Sequence, residues 1–202
     1  QAYEWPNARI SHTTVKLPIP VGSWRSVGHS HQAFFKESFV DEVAHALGQD
    51  PLAFRLSLLK NHPRHAKVLQ LVAEKSGWGQ ARPSPTDGVK RAWGLALHES
   101  FGTIVAQAAE VSVVGQDIRV HRVVCAVDCG TVVNPDGVAQ QMESAVVYGL
   151  SAALFGEITF EKGRVQQSNF HDHPVLRINQ APEVSTYMVE SDAPPELSLI
   201  HI

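Results

Sequence analysis

Cysteine is nearly absent from this chain: Cys125 and Cys129 are the only two in 202 residues. Two thiols cannot build the disulfide framework of a small secreted domain. In a strand they would stand about 13 Å apart on one face, at roughly 3.3 Å per residue. A disulfide needs Cα atoms within roughly 7 Å, so they read as separate thiols in or near a core. An excess of one charge is also missing: 17 Lys and Arg stand against 20 Asp and Glu, a net charge of -3. No basic cluster interrupts that spread, which argues against nucleic acid as a partner. No apolar run approaches the ~20 residues of a membrane-spanning helix. There is no internal repeat, which excludes a solenoid. Gln1 is not an initiator and the chain opens in the middle of a pattern, so the lack of a visible signal peptide says little about compartment.

With 44% hydrophobic and 18% charged residues, the chain suits one globular unit, or one and a half, with enough apolar side chains for a core. Residues 1–30 read as irregular, broken by Pro6, Pro18, Pro20 and Gly22. A helix is expected over His31–Leu47, where Phe35, Phe39, Val43 and Leu47 recur every fourth residue. Asp50 as N-cap and Pro51 in the first turn open a second helix, to about Leu59. A third covers about His65–Ser76, with Val68, Leu69, Leu71 and Val72 on its apolar side, and Gly77 ends it. After a polar loop over Gln80–Gly88 the period becomes that of strands: Val89–Ser100 and Thr103–Val114 around Phe101-Gly102, then Ile118–Val127. Glu110 and Ser112 alternate with Val111 and Val113, which predicts a sheet with one wet face. Gly137–Phe155 returns to helix. A hairpin around Glu161-Lys162-Gly163 and a last strand over Val184–Glu190 complete an α+β pattern, a mixed sheet with packed helices.

Two distant motifs stand out. Gly22-Ser23-Trp24-Arg25-Ser26-Val27-Gly28 puts an indole and a guanidinium between glycines just before a helix. Asp128-Cys129-Gly130-Thr131-Val132-Val133-Asn134-Pro135 is a strand end that turns into another helix. Both can expose backbone N–H groups to a bulky anion. Together with Trp5-Pro6-Asn7-Ala8-Arg9, Ser38-Phe39-Val40-Asp41-Glu42 and Asp50-Pro51-Leu52-Ala53-Phe54-Arg55, in this order, the chain over residues 1–195 resembles the molybdopterin-binding subunit of the xanthine dehydrogenase family. The branch it resembles is that of the isoquinoline 1-oxidoreductase beta subunit and membrane-bound aldehyde dehydrogenase. The resemblance implies one molybdopterin-binding domain of the aldehyde oxidase/xanthine dehydrogenase type. Residues 1–88 would be its helical part with the cofactor-facing loop, and residues 89–196 its mixed strand and helix part.

The resemblance assigns Arg25, the backbone of Ser26 and Val27, and Gln141 to a molybdenum–molybdopterin cofactor, in the cytosine dinucleotide form. Arg25 offers a permanently charged fork of donors, and Gln141 an amide that matches the edge of a pterin. The plainer readings are an Arg25 pair with Asp41 or Glu42 or a surface arginine, and a solvated Gln141. The family's better-known xanthine-oxidising members have Phe where Val27 stands; Val leaves a wider, less stacking pocket, which argues against a purine substrate. Trp24, Ser100 and Phe101 are expected to wall the substrate pocket. His98 and Glu99 could do acid–base work, but neighbours on a strand face opposite ways. Gln107 is a further candidate of the same kind. Asn134-Pro135 reads as turn chemistry that starts a helix. Neither His29-Ser30-His31 nor His171-Asp172-His173 is expected to bind metal, since nothing fixes the pairs near each other, and the family's molybdenum is held by the pterin sulfurs.

The implied reaction oxidises an aldehyde or N-heterocycle with water as the oxygen source. Electrons would pass to iron–sulfur clusters in a small partner subunit, and in this branch often on to a cytochrome c subunit; many relatives are periplasmic. The family's general-base Glu lies in a Gly-Val-Gly-Glu motif after a Ser-Asp-Ala-Pro-Pro segment. Here Ser191–Pro195 is present without that motif, Glu196 lacks the glycines, and the base is expected beyond the C-terminal end. The chain therefore reads as a piece of a larger subunit, inactive alone. Residues 197–202 read L-S-L-I-H-I, which a common sequencing-library adapter encodes, and are expected to be non-native. The alternative reading is a non-catalytic α+β scaffold or binding module that has lost the cofactor.

Overall fold

A computed structural model describes residues 2–19, 21–81, 85 and 87–196; the tail at 197–202 lies outside the described residues. The elements run α1 (His29–Ala46), α2 (Pro51–Ser57), α3 (Pro63–Ser76), β1 (Arg91–Ser100), β2 (Thr103–Val114), β3 (Asp117–Asp128), α4 (Pro135–Phe155), β4 (Phe160–Glu161), β5 (Arg164–Val165) and β6 (Glu183–Met188). Each boundary has a local cause. Asp50 caps α2 by accepting from the Ala53 N–H at 2.9 Å, and Asn134 caps α4 by accepting from Gly137 at 3.1 Å. Gly77 ends α3 in the left-handed region, φ 68°. The β1–β2 turn needs positive φ at both central residues, and Phe101 and Gly102 adopt 49° and 82°.

The main sheet has the order β1-β2-β3-β6, antiparallel except for the parallel β3–β6 pair. A parallel pair requires a crossover, and α4 supplies it. It packs on one face through Val138, Met142 and Val146, against Val105, Val123, Cys125 and Val127. The alternate residues Ile104, Ala106, Val124 and Ala126 face the other way, into a core with Val40, Leu59, Val68, Leu69 and Val72 of the helical half. The centre of the sheet is therefore covered on both faces, and the expected wet face is corrected. The run Val123-Val124-Cys125-Ala126-Val127 is apolar without alternation because both sides are buried. The alternation read at Glu110–Val113 belongs to the far end of β2, where Val113 and Val114 are exposed.

A second correction concerns α1. Of the every-fourth-residue stripe only Val43 packs against the core: Phe35, Phe39 and Leu47 are 63%, 59% and 58% exposed, while Glu37, Val40 and Ala44 are buried. The helix is oriented by polar chemistry. β1 has a free edge, and α1 occupies it: Glu37 Oε2 accepts from the Leu97 N–H at 2.9 Å, and Lys36 Nζ donates to the Leu97 carbonyl at 2.9 Å. Both backbone groups of an edge residue are thus satisfied by two consecutive side chains, which closes the edge to another strand. The fully buried Arg55 donates to Glu37 at 3.0 Å and to Asp41 at 2.6 Å. Tyr3 adds its hydroxyl to Glu37 at 3.1 Å. Cys125 and Cys129 are both free and buried, and burial pushes the Cys125 thiol up to about 12. Among the described residues no helix is long and apolar enough to cross a membrane.

Candidate functional site

The loop before α1 is strained. Ser26 and Val27 both lie in the left-handed region, φ 66° and 53°, which a β-branched residue rarely tolerates unless its surroundings impose it. The Val27 N–H donates to the Trp24 carbonyl at 3.0 Å and the His29 N–H to the Ser26 carbonyl at 3.0 Å. Of the two backbone donors expected to meet a ligand, that of Val27 is thus used inside the turn. The N–H of Ser26 has no partner among the described residues. The loop is pinned to α4 by Tyr148. The Trp24 indole packs against the Tyr148 ring at 5.9 Å between centroids, and the Arg25 guanidinium carbon lies 5.0 Å from that centroid.

Arg25 and Gln141 line one cleft of about 410 Å³, together with Cys129, Asn134, Val138 and Glu196. Arg25 does not pair with Asp41, which is engaged by Arg55, and among the described residues it has no carboxylate partner. The Gln141 amide likewise has no hydrogen-bond partner among the described residues. Tyr148, which holds Trp24 and Arg25 beside the cleft, carries no motif signal in the sequence. It stands seven positions after Gln141 and so lies on the same side of α4, a spacing that could have flagged it.

The rim of the cleft is built by a strand-end turn and the segment that runs alongside it. The Thr131 N–H donates to the Ala193 carbonyl at 2.9 Å and the Glu196 N–H to the Cys129 carbonyl at 3.0 Å. Gly130, at φ 74°, faces this segment so closely that a Cβ would collide with the Pro194 carbonyl oxygen. Asn134 spends its side chain on capping α4, and Asp136 sits in the first turn. The turn reading of Asn134 therefore holds, and the helix start is already supplied with acceptor and negative charge.

The expected substrate wall divides in two. Trp24 is at the α4 side, against Tyr148, and does not itself line the cleft. Ser100 and Phe101 are at the β1–β2 turn and do not line the cleft, although Gly102 abuts Glu196 of its rim, where a Cβ would come within 2.6 Å of the carboxyl carbon. Ser100 is buried and its hydroxyl makes no hydrogen bond among the described residues. The Phe101 ring lies 5.1 Å from the His29 ring. His98 and Glu99 diverge: Glu99 meets His65 at 3.0 Å, and His98 meets His29 at 3.0 Å. Burial pushes the His65 pKa down, with Glu99 opposing it. Gln107 stands opposite Cys125 in the sheet. The two His-x-His pairs are not brought together, and among the described residues no group of three or more His, Cys, Asp or Glu could hold a metal ion.

A family model described as molybdopterin cofactor-binding domain matches residues 66–182, and a second of the same description matches residues 1–59. The chain is 40% identical over 193 residues to isoquinoline 1-oxidoreductase subunit beta of Brevundimonas diminuta, covering 95% of this chain and 24% of that one. It is 30% identical over 190 residues to the membrane-bound aldehyde dehydrogenase [pyrroloquinoline-quinone] of Gluconacetobacter polyoxogenes, covering 86% of this chain and 25% of that one. The fold is that of part of the aldehyde oxidoreductase from Desulfovibrio desulfuricans ATCC 27774. The TM-score is 0.62 at 13% identity, over 84% of this chain and 36% of that one. The chain thus spans about a quarter of the length of these two curated relatives.

Proposed function

Because this chain belongs to the molybdopterin cofactor-binding domain family, we propose that it is part of the large subunit of a molybdenum hydroxylase that oxidises an aldehyde or an N-heterocycle. The observation that carries the reading is the convergence of Arg25 and Gln141 on one cleft, with a guanidinium and an amide that make no hydrogen bond among the described residues. Such a donor-rich wall fits an anionic pterin better than it fits solvent. When bound, the molybdenum–molybdopterin cofactor would supply the oxidation of substrate carbon with oxygen from water.

The chain's own residues would then act as follows. Arg25, fixed over Tyr148, would stabilise negative charge on the cofactor. The free N–H of Ser26 would bind a cofactor oxygen, with Val27 shaping the loop. The Gln141 amide would bind a pterin edge. Trp24, Ser100 and Phe101 would bound the substrate space. The cytosine dinucleotide form of the cofactor, an iron–sulfur small subunit and a cytochrome c subunit complete the proposal.

The test is to express the full-length gene with molybdenum cofactor supply, then to measure metal by mass spectrometry and aldehyde-dependent dye reduction. Stoichiometric molybdenum, lost or crippled in Arg25→Ala and Gln141→Ala, is the expected result. A folded full-length protein without molybdenum or activity would overturn the proposal and leave a scaffold or binding module.

A further inference from the structure

A second cavity, of about 210 Å³, lies at the free edge of β1, with His29, Gln32, Lys36, His98 and Glu99 among its walls. Its hydrogen bonds have a direction. Lys36 Nζ stands 2.9 Å from the Leu97 carbonyl, 3.2 Å from His98 Nδ1 and 3.2 Å from Glu37 Oε1. An ammonium only donates, so His98 Nδ1 must accept. The hydrogen of His98 is then on Nε2, which donates to His29 Nδ1 at 3.0 Å. His29 accepts there, so its own hydrogen is on Nε2, as the network assigns it. That N–H has no hydrogen-bond partner among the described residues, while other polar groups around the cavity are engaged: His65 with Glu99 and the Tyr3 hydroxyl with Glu37. The relay therefore makes His29 present a donor where a free imidazole could equally present a lone pair.

On the reading given under Proposed function, we propose that His29 is a substrate-orienting residue whose Nε2–H donates to the carbonyl oxygen of an aldehyde or the ring nitrogen of an N-heterocycle. These two substrate classes share one feature: a lone-pair atom bonded directly to the carbon that is oxidised. A donor to that atom orients the molecule and draws electron density from the carbon. The position suits the role. His29 follows the strained loop that carries Trp24 and Arg25, and its ring meets Phe101 at 5.1 Å, so it joins two segments that are separate in the sequence. A fixed donor also rejects isosteres that lack the acceptor.

The test uses the intact full-length subunit and two probes of nearly equal shape: acetophenone, which has a carbonyl acceptor but no oxidisable aldehyde hydrogen, and α-methylstyrene, which has no acceptor. Equilibrium dialysis should show acetophenone binding about tenfold more tightly than α-methylstyrene, the worth of one hydrogen bond. His29→Gln, which keeps an N–H near the Nε2 position, should retain the preference. His29→Leu should abolish it, and Lys36→Met should weaken it by releasing the tautomer of His98. Equal affinities in the wild-type protein, or a preference that survives His29→Leu, would overturn the proposal, and the wild-type result decides even where a variant fails to fold. Molybdenum content of the same preparations separates the two readings. Stoichiometric metal with equal affinities overturns the role of His29 alone, whereas absence of metal overturns the hydroxylase reading.

Discussion

Arg64 grips Asp128 with two parallel hydrogen bonds, Nε to Oδ2 at 2.8 Å and Nη2 to Oδ1 at 2.9 Å. Oδ1 also accepts from the Gly130 N–H at 3.0 Å, so one carboxylate ties α3 to the turn that builds the rim of the candidate cleft. Burial alone would raise the Asp128 pKa; the Arg64 guanidinium, the Gly130 N–H and the Ser191 hydroxyl outweigh it and hold the carboxyl below its ordinary value.

The sign of the resulting pH dependence follows. The native value is depressed, so the stabilisation is complete above the ordinary carboxylate value of about 4 and is lost as pH falls through the native value. Asp128→Asn should cost about 2 kcal/mol at neutral pH, discounted because Arg64 is partly exposed. It should also flatten the acid limb of the stability curve. Urea denaturation of the full-length protein between pH 3 and 7 checks both, and an acid limb unchanged in the variant would refute the assignment.

Glu37 anchors the free edge of the sheet. Glu37→Gln leaves the fully buried Arg55 with Asp41 as its one remaining carboxylate, and removes the charged acceptor of the Leu97 N–H. Breaking a buried pair from one side costs about 3–5 kcal/mol. The expected outcome is a large fall in the denaturation midpoint. Hydrogen exchange should show early loss of protection at Leu97.

Gly130→Ala tests the close approach of two segments. The substitution requires both a left-handed Ala and a Cβ in the space held by the Pro194 carbonyl, at a cost of roughly 2–4 kcal/mol. The segment over residues 193–196 should detach, and the Thr131 amide, bonded to Ala193 at 2.9 Å, should exchange rapidly. Retained protection at Thr131 would show that the rim does not depend on this contact.

The outward phenylalanines of α1 make an opposite prediction. Phe35→Ser and Phe39→Ser should each change stability by no more than about 0.5 kcal/mol, as exposed sites do. Val40→Ala, at 1% exposure, should cost roughly 2 kcal/mol. The double serine variant should aggregate less, because it removes an apolar patch. Thermal melts and light scattering measure the two effects separately.

The elements themselves were legible. Asp50-Pro51 and Asn134-Pro135 announce helix starts that the side chains then cap, Gly77 announces an end, and Phe101-Gly102 announces a two-residue turn. These signals act within four residues, through hydrogen bonds and φ restrictions that need no distant partner. Part of the candidate site was legible as well: Arg25 and Gln141, singled out from separate motifs, line one cleft. The orientation of α1 was not, because apolar periodicity assumes that an apolar side is a core side. Here the buried side is set by Glu37 and Arg55, which bury charge only because they meet each other. The same limit hid the relay. Lys36, His98 and His29 carry no spacing signal, since their contact exists only once α1 lies along β1.

By itself, then, the sequence determined local structure: where helices start and stop, where strands turn, and which residue types a cleft could draw on. Tertiary structure alone decided which face of α1 is buried, that the sheet is covered on both sides, and which nitrogen of His29 carries a hydrogen. Local rules operate over one turn of chain, whereas burial, edge closure and tautomer depend on groups far apart in sequence that meet only in the folded protein.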